Sequence, residues 1–246
     1  MPTATNAQGP SCHQYTRNRE ASNIYRSEEG RWRELGAGAA PLPPEFYLQP
    51  TEQVALDLLG CLLVHRTGAG PVVGRIVETE AYLSQDDPGC HAARGQTDRN
   101  APMFEGPGTL YVYQIYGVHY CVNLVTQPEG VPEAVLVRAV EPLAGIELMR
   151  KRRGRTRLEE LANGPAKLTQ AFGIGPQHNR GNATRGVLCV APGPEPVAEI
   201  WRAPRIGIAS ERGGDLPLRF LVANCRWTSR RPNTVCGTII REGESP

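Results

Sequence analysis

Within Arg75–Asn123, RIVETEAYLSQDDPGCHAARGQTDRNAPMFEGPGTLYVYQIYGVHYCVN, carboxylates, a histidine and a run of tyrosines stand close enough in sequence to share one site. Arg75–Leu83 reads as a strand, and alternate side chains of a strand share a face. Glu78, Glu80 and Tyr82 therefore point one way, and Val77 and Thr79 the other. A carboxylate in that setting can act as a general base toward water. An aromatic ring beside it can stack a planar ligand. Ser84–Pro102 is a polar loop that carries His91. Thr109–Asn123 holds two runs of β-branched and aromatic residues around Gly117, the pattern of a hairpin. The turn would put Tyr116 at an exposed tip.

The elements that must hold these residues can be read around them. Thr51–Leu59 has its apolar residues on one face and reads as a helix capped by Thr51 and ended by Gly60. Cys61–Arg66 and Val72–Leu83 read as strands joined by a turn at Thr67–Pro71. Ala134–Val140 is a nearly continuous apolar strand with Arg138 inside it, and an arginine buried there requires a partner. Glu141–Arg152 reads as a helix followed by the basic run RKRRGRTR at 150–157. A further helix is expected over Asn163–Phe172, opened by Pro165. Its N-terminus together with Lys167 would suit a phosphate. Strands are expected at Gly186–Val190, Arg205–Ile208 and Leu218–Val222, and Thr228–Pro246 reads as irregular. Strands and helices do not alternate regularly, which argues against a doubly wound sheet. The expectation is one α+β domain over residues 41–246, with a curved, mostly antiparallel sheet flanked by helices and a protruding hairpin. Residues 1–40 are polar with little apolar periodicity and read as a disordered tail, with Trp32 and Tyr25 undocked.

Composition narrows the partners. Of 246 residues, 40% are hydrophobic, enough for a core, and the 27 glycines and 22 prolines imply many turns. The net charge of +2 does not announce a nucleic acid by itself. The distribution says more, because 25 of the 27 basic residues are arginine and a cluster of them follows Arg138. Arginine suits bidentate phosphate contacts, and a coding bias toward arginine accounts for the ratio equally well. Seven cysteines without a C-x-x-C pair read as reduced, mostly buried thiols of a cytoplasmic protein. No zinc spacing is present, no window is long and apolar enough for a membrane helix, and the N-terminus lacks a secretory signal.

The order VETEAYL, a histidine eleven residues after its second glutamate, then MF-x-x-PGTLYVY-x-IYG resembles the alkyladenine (3-methyladenine) DNA glycosylase family. The resemblance continues through LVRAVEPLAGIELMR, NGPAKLTQAFGI and PLRFLV and covers roughly Pro43–Arg226. It implies a monofunctional enzyme of base excision repair. Such an enzyme flips an alkylated or deaminated purine out of duplex DNA and hydrolyses its N-glycosidic bond. The substrates implied are 3-methyladenine, 7-methylguanine, hypoxanthine and ethenoadenine. By the same resemblance Glu80 is the general base, Arg138 helps hold the catalytic water, and the main-chain carbonyl of Val222 is its third ligand. Tyr82, His91 and Tyr113 wall the base pocket, Asn123 excludes the guanine amino group, and Tyr116 fills the vacated place in the duplex. Arg150, Lys151, Arg152, Arg153 and Lys167 are expected on the DNA backbone, from the basic run and the helix start. A monomer is expected, without metal or organic cofactor and away from membranes, in the cytoplasm or, in a eukaryote, the nucleus.

Two departures from the family pattern stand out. His119 occupies a position where the family often has an aromatic, and the loop over Ala92–Asn100 is slightly shorter. Lys151 and Lys167, the only lysines, lie outside the pocket motifs, which argues against a Schiff-base lyase. Two other classes compete. A catalytically silent module that binds damaged DNA would use the same tyrosines and arginines, but has no need of Glu80 beside Arg138. A carbohydrate hydrolase would use Glu78 and Glu80, but both would lie on one side of the substrate, where that chemistry requires them to flank it.

Overall fold

The computed structural model describes residues 19–84 and 86–241. Among the described residues nine strands form a single sheet, and every pairing between them is antiparallel. In chain order they are β1 (Leu62–Thr67), β2 (Gly70–Tyr82), β3 (Leu110–Ile115), β4 (His119–Thr126), β5 (Glu133–Ala144), β6 (Leu188–Ala191), β7 (Glu199–Ala203), β8 (Arg219–Val222) and β9 (Gly237–Ile240). The sheet runs β3-β4-β5-β2-β8-β7-β9, and β1 also pairs with β2 and carries β6 on its other edge. β2 is therefore the hub, touching β1, β5 and β8 along its thirteen residues.

Among the described residues four α-helices accompany the sheet: α1 (Arg19–Gly38), α2 (Thr51–Asp57), α3 (Ile146–Arg153) and α4 (Pro165–Phe172). The main core lies between the sheet and α2, α3 and α4, and joins Val54, Leu58, Ile76, Val122, Val137, Met149, Leu168 and Phe172. These are the residues on the inward stripe of each helix and the inward face of each strand, as hydrophobic burial requires. The sequence expectation of one α+β domain with a mostly antiparallel sheet holds.

The differences are local and have physical reasons. Thr51 does not cap α2; it is the first helical residue after Pro50, and its hydroxyl donates to Glu133 at 2.5 Å and meets Thr126 at 2.6 Å. Strand β5 runs to Ala144, so α3 starts five residues later than expected, after Gly145 in a left-handed conformation. Arg205–Ile208 is a loop, and the strand lies just before it as β7. In that loop the Arg205 guanidinium is held by Asp87 and by the Ala81 and Gly213 carbonyls, and the Ile206 N–H donates to the Glu80 side chain. Part of the end expected to be irregular is β9, which pairs with β7.

The segment expected as a disordered tail also differs where it is described, since Arg19–Gly38 is helical. Trp32 packs on Leu62, Val64, Val73 and Leu143, Gly36 lies closely against Val73, and Glu29 accepts the Gly145 N–H at 3.1 Å. Residues 1–18 lie outside the described residues. Among the described cysteines, Cys61, Cys90, Cys121 and Cys189 are buried free thiols. No helix among the described residues is long and apolar enough to cross a membrane.

Two histidines meet behind the core. His178 Nδ1 accepts the Gly175 N–H at 3.2 Å, so its Nε2 carries the proton and donates to His65 Nε2 at 3.1 Å. His65 Nδ1–H then donates to the Phe172 carbonyl at 2.8 Å. Both rings are neutral in this arrangement, and burial lowers the pKa of each, with His178 adding to the effect on His65. The folded protein therefore binds fewer protons here than the unfolded chain. Stability from the pair is complete above the unfolded value of about 6.5 and is lost as pH falls through the lowered folded value. Urea denaturation of the parent and a His178→Gln variant should show a stability gap that is constant at pH 7–8 and narrows below about pH 6. A gap independent of pH would mean that the pair does not titrate on unfolding.

Candidate active site

One row of residues crosses five strands on a single face of the sheet. Tyr111 on β3 faces Asn123 on β4, Asn123 faces Leu136 on β5, Leu136 faces Glu80 on β2, and Glu80 faces Arg219 on β8. Directly opposed residues share a face, and neighbouring strands lie about 4.8 Å apart, so Asn123 and Glu80 are separated by about 10 Å across the sheet. That spacing joins an aromatic pocket at one end to a carboxylate cluster at the other.

The cluster is fully buried. Glu78 and Glu80 are both 0% exposed, two residues apart on β2. Register shifts on either side of Glu78 leave Arg138 as an extra residue of β5 between the partners of Glu78 and Thr79. Such a bulge re-aims a side chain, and here the guanidinium lies between the carboxylates. Its Nε donates to Glu78 at 3.0 Å and its Nη1 to Glu80 at 2.9 Å. Burial pulls the Arg138 guanidinium down in pKa, but Glu80 and Glu78 together outweigh that effect and hold it above its ordinary value.

The two glutamates differ in what surrounds them. Glu78 accepts four hydrogen bonds, from Arg138 Nε, Arg219 Nε at 2.7 Å, and the Ser229 N–H and hydroxyl at 2.5 and 2.8 Å. Glu80 accepts three, from Arg138 Nη1, the Ile206 N–H at 2.8 Å and the Tyr82 hydroxyl at 2.9 Å. A carboxylate offers about four acceptor positions, so the described donors match that number at Glu78, three of them on Oε1, and fall one short of it at Glu80, where Oε1 takes a single bond. Burial, then the neighbouring Glu80 charge, raises the Tyr82 pKa well above normal, so Tyr82 is a neutral donor. It also lines the pocket, and so joins the pocket to the carboxylate.

The pocket encloses about 360 Å³ of empty space open to solvent, walled by Tyr82, His91, Tyr111, Tyr113, Asn123 and Ile208. His91 Nδ1 lies 3.0 Å from the Tyr111 hydroxyl. Burial, with Arg99 and Arg212 nearby, lowers the His91 pKa, so this ring is neutral. The Asn123 amide donates to the Tyr111 carbonyl at 3.0 Å, which fixes its orientation. His91 and Tyr113 meet edge to face, with centroids 4.6 Å apart. Plates gripping a base between them would stand about 7 Å apart, twice the contact distance. The structure thus brings Tyr82, His91, Tyr113 and Asn123 together, but with His91 folded against Tyr113.

The strands that carry Tyr111, Tyr113 and Asn123 of the pocket, β3 and β4, form a hairpin closed by the Val118 N–H on the Ile115 carbonyl. Tyr116 and Gly117 both have positive φ at its turn, which glycine adopts freely and a tyrosine rarely does. Tyr116 is 90% exposed, and Val118 beside it is also exposed.

Other expected residues fall elsewhere. Val222 lies three positions past Arg219, the residue opposite Glu80, and its carbonyl accepts the Cys225 N–H at 3.4 Å. The basic run is largely committed within the fold. Arg152 donates to the Ala171 carbonyl, Arg153 to the Leu161 carbonyl and Gln170, and Arg150 pairs with Glu147. Arg152 and Arg153 thereby tie α3 to α4, while Lys151 is exposed and has no ion pair with a described residue. Lys167, at the start of α4, donates to Asn163 at 2.9 Å. Residues that the sequence did not single out include Arg219, Ser229, Ile206 and Tyr111. Tyr111 shares a strand face with Tyr113 and could have been found from that alternation. Ile206 acts through its backbone N–H and Ser229 through its N–H and hydroxyl from a segment distant in the chain, so neither carries a sequence signal.

Comparisons with known proteins give the family. The family model described as methylpurine-DNA glycosylase (MPG) matches residues 45–226. A protein of Methanoculleus marisnigri is 51% identical over 194 residues, covering 77% of this chain and 99% of its own. Relatives from Carboxydothermus hydrogenoformans and Chlorobaculum tepidum are each 47% identical over 192 residues and 77% of this chain, covering 99% and 90% of their own lengths. All three bear the name "Putative 3-methyladenine DNA glycosylase". The chain belongs to the methylpurine-DNA glycosylase family, and with it to the hydrolases that act on N-glycosyl bonds.

Removing the shared cation tests the cluster. An Arg138→Ala variant leaves two buried carboxylates facing each other and should lose about 3–5 kcal/mol of unfolding free energy in urea. A loss under about 1 kcal/mol, the range of exposed pairs, would show that water reaches the cluster freely.

Proposed function

We propose that this DNA glycosylase flips damaged purines, alkylated or deaminated, out of duplex DNA and hydrolyses their N-glycosidic bond with a water activated by Glu80. The observation that carries this reading is the buried Glu80, with three described donors for about four acceptor positions, linked through the Tyr82 hydroxyl to an aromatic pocket whose strands β3 and β4 end in an exposed hairpin tip.

Each step has a residue suited to it. Tyr116 enters the duplex and takes the place of the flipped nucleotide, offsetting the unstacking cost. The base enters the pocket against Tyr82 and Tyr113, and His91, carried on an exposed loop, swings away from Tyr113 to cover the other side. The fixed Asn123 amide occupies the space that a guanine amino group would need. The sugar then lies over the carboxylate cluster. As the bond between the anomeric carbon and the base nitrogen breaks, the base leaves with the electron pair. The water oxygen bonds to that carbon, and Glu80 accepts the water proton. The negative charge of Glu80 also stabilises the sugar cation, as in sugar hydrolysis. Arg138 holds Glu80 in place and balances its charge when no sugar cation is present.

Glu80 and Tyr116 serve different steps, so their variants should fail differently on one hypoxanthine-containing duplex. Glu80→Gln keeps the shape and should lower single-turnover excision on the order of 10²–10⁴-fold, with lesion binding retained. Tyr116→Ser should instead weaken lesion binding and shrink the flipped population, by roughly the few kcal/mol that unstacking costs. Excision at the parent rate by Glu80→Gln would remove Glu80 from the chemistry. Lesion binding without base release by the parent itself would favour a silent recognition module.

A further inference from the structure

A second cleft lies on the other side of the Pro204–Ile208 loop from the base pocket. Ile206 lines this cleft, Ile208 lines the base pocket, and the Ile206 N–H holds Glu80 between them. The cleft has about 690 Å³ of empty space open to solvent, and four arginines line it: Arg205, Arg219, Arg230 and Arg231. Arg205 and Arg219 are buried and already balanced by Asp87 and Glu78. Arg230 and Arg231 are exposed and have no carboxylate partner among the described residues. Arg231 lies loosely over the Trp201 ring, 6.0 Å from its centroid. Asn233 and Thr234 add neutral donors to the same wall.

The wall is anchored to the carboxylate cluster. Ser229 hydrogen-bonds Glu78 through both its N–H and its hydroxyl, and the Arg230 carbonyl accepts from Arg219. The two unpaired guanidiniums therefore stand one and two residues from a group fixed on the cluster. They also lie beyond residue 226, where the family match ends. Unpaired arginines held at the rim of an open cleft suit an anion with spread charge, and the fork of each matches a phosphate.

We propose that the Arg230–Arg231 cleft binds the phosphodiester backbone of the DNA strand beside the flipped nucleotide. The proposal rests on the glycosylase reading for its partner. A nucleotide whose base fills the tyrosine pocket and whose sugar lies over Glu80 directs an adjoining phosphate past the Pro204–Ile208 loop, into this cleft. The contact is independent of base identity, so it adds affinity and register and leaves the choice of lesion to the pocket.

The test is binding of a hypoxanthine duplex as a function of salt, for the parent and for a variant with Arg230→Ala and Arg231→Ala. Two lost phosphate contacts should flatten the slope of log affinity against log salt by about 1.8. The melting temperature should be unchanged. A second arm replaces one phosphate at a time around the lesion with a neutral methylphosphonate. One or two positions should weaken the parent and leave the double variant unaffected. If the alanine pair lowers the melting temperature, Arg230→Gln with Arg231→Gln repeats both arms with side-chain bulk kept. An unchanged slope, or a methylphosphonate position that weakens parent and variant equally at every site, overturns the proposal. Failure of the parent to release hypoxanthine would instead count against the glycosylase reading, and the salt slopes would still decide whether the cleft holds DNA.

Discussion

Two carboxylates on one face of a strand, with no solvent exposure, are costly unless cations meet them. The fold is arranged to supply those cations. Glu78 and Glu80 carry two negative charges, and Arg138 and Arg219 bring two positive ones from the strands on either side of β2. The register of β5 breaks next to Glu78 and places Arg138 between both carboxylates. The chain after β8 returns so that Ser229 can cover Glu78, and the Pro204–Ile208 loop gives up strand pairing so that the Ile206 N–H can reach Glu80. Each of these irregularities has its reason in the same charge cluster.

The cluster also separates two roles that the sequence leaves equivalent. Glu78 is surrounded by four donors and pins β2, β5, β8 and the Ser229 segment together. Glu80 has three described donors for about four acceptor positions and faces Tyr82, the wall of the pocket. Behind Tyr82 stands another buried pair. Arg205 lies 4.8 Å from the Tyr82 ring centroid and is gripped by Asp87 at 2.5 and 2.7 Å. Tyr82 is thus fixed by Arg205 on its ring and by Glu80 at its hydroxyl, so the ring that would receive a base is set before any base arrives.

Much of this was legible in the sequence because it rests on periodicity. The alternation in VETEAY placed both glutamates and Tyr82 on one face, and the glycine after Tyr116 marked a hairpin tip. Arg138 in an apolar run demanded a partner, and the partners are the two glutamates. What could not be read depends on contacts far apart in the chain. Arg-Ile-Gly-Ile has the composition of a strand, yet its groups are held by the distant Asp87, Glu80 and Gly213 and Gly207 takes a positive φ. The run at 150–157 has the composition of a DNA-facing strip, yet Arg152 and Arg153 are taken by carbonyls of residues that follow them in the chain. Trp32 stands in a polar segment, where one apolar contact patch leaves too weak a pattern to suggest the helix that docks there.

The central claim is that Glu78 holds the cluster and Glu80 performs the chemistry. Its most direct test sets Glu78→Gln beside Glu80→Gln, with unfolding in urea and single-turnover excision measured for both on one duplex. Glu78→Gln should show the larger loss of stability, because it leaves Arg219 and Arg138 undercompensated, while folded protein retains most of the parent rate. Glu80→Gln should show the larger loss of rate. The reverse pattern, with Glu78→Gln folded but inactive and Glu80→Gln excising at the parent rate, would contradict the assignment.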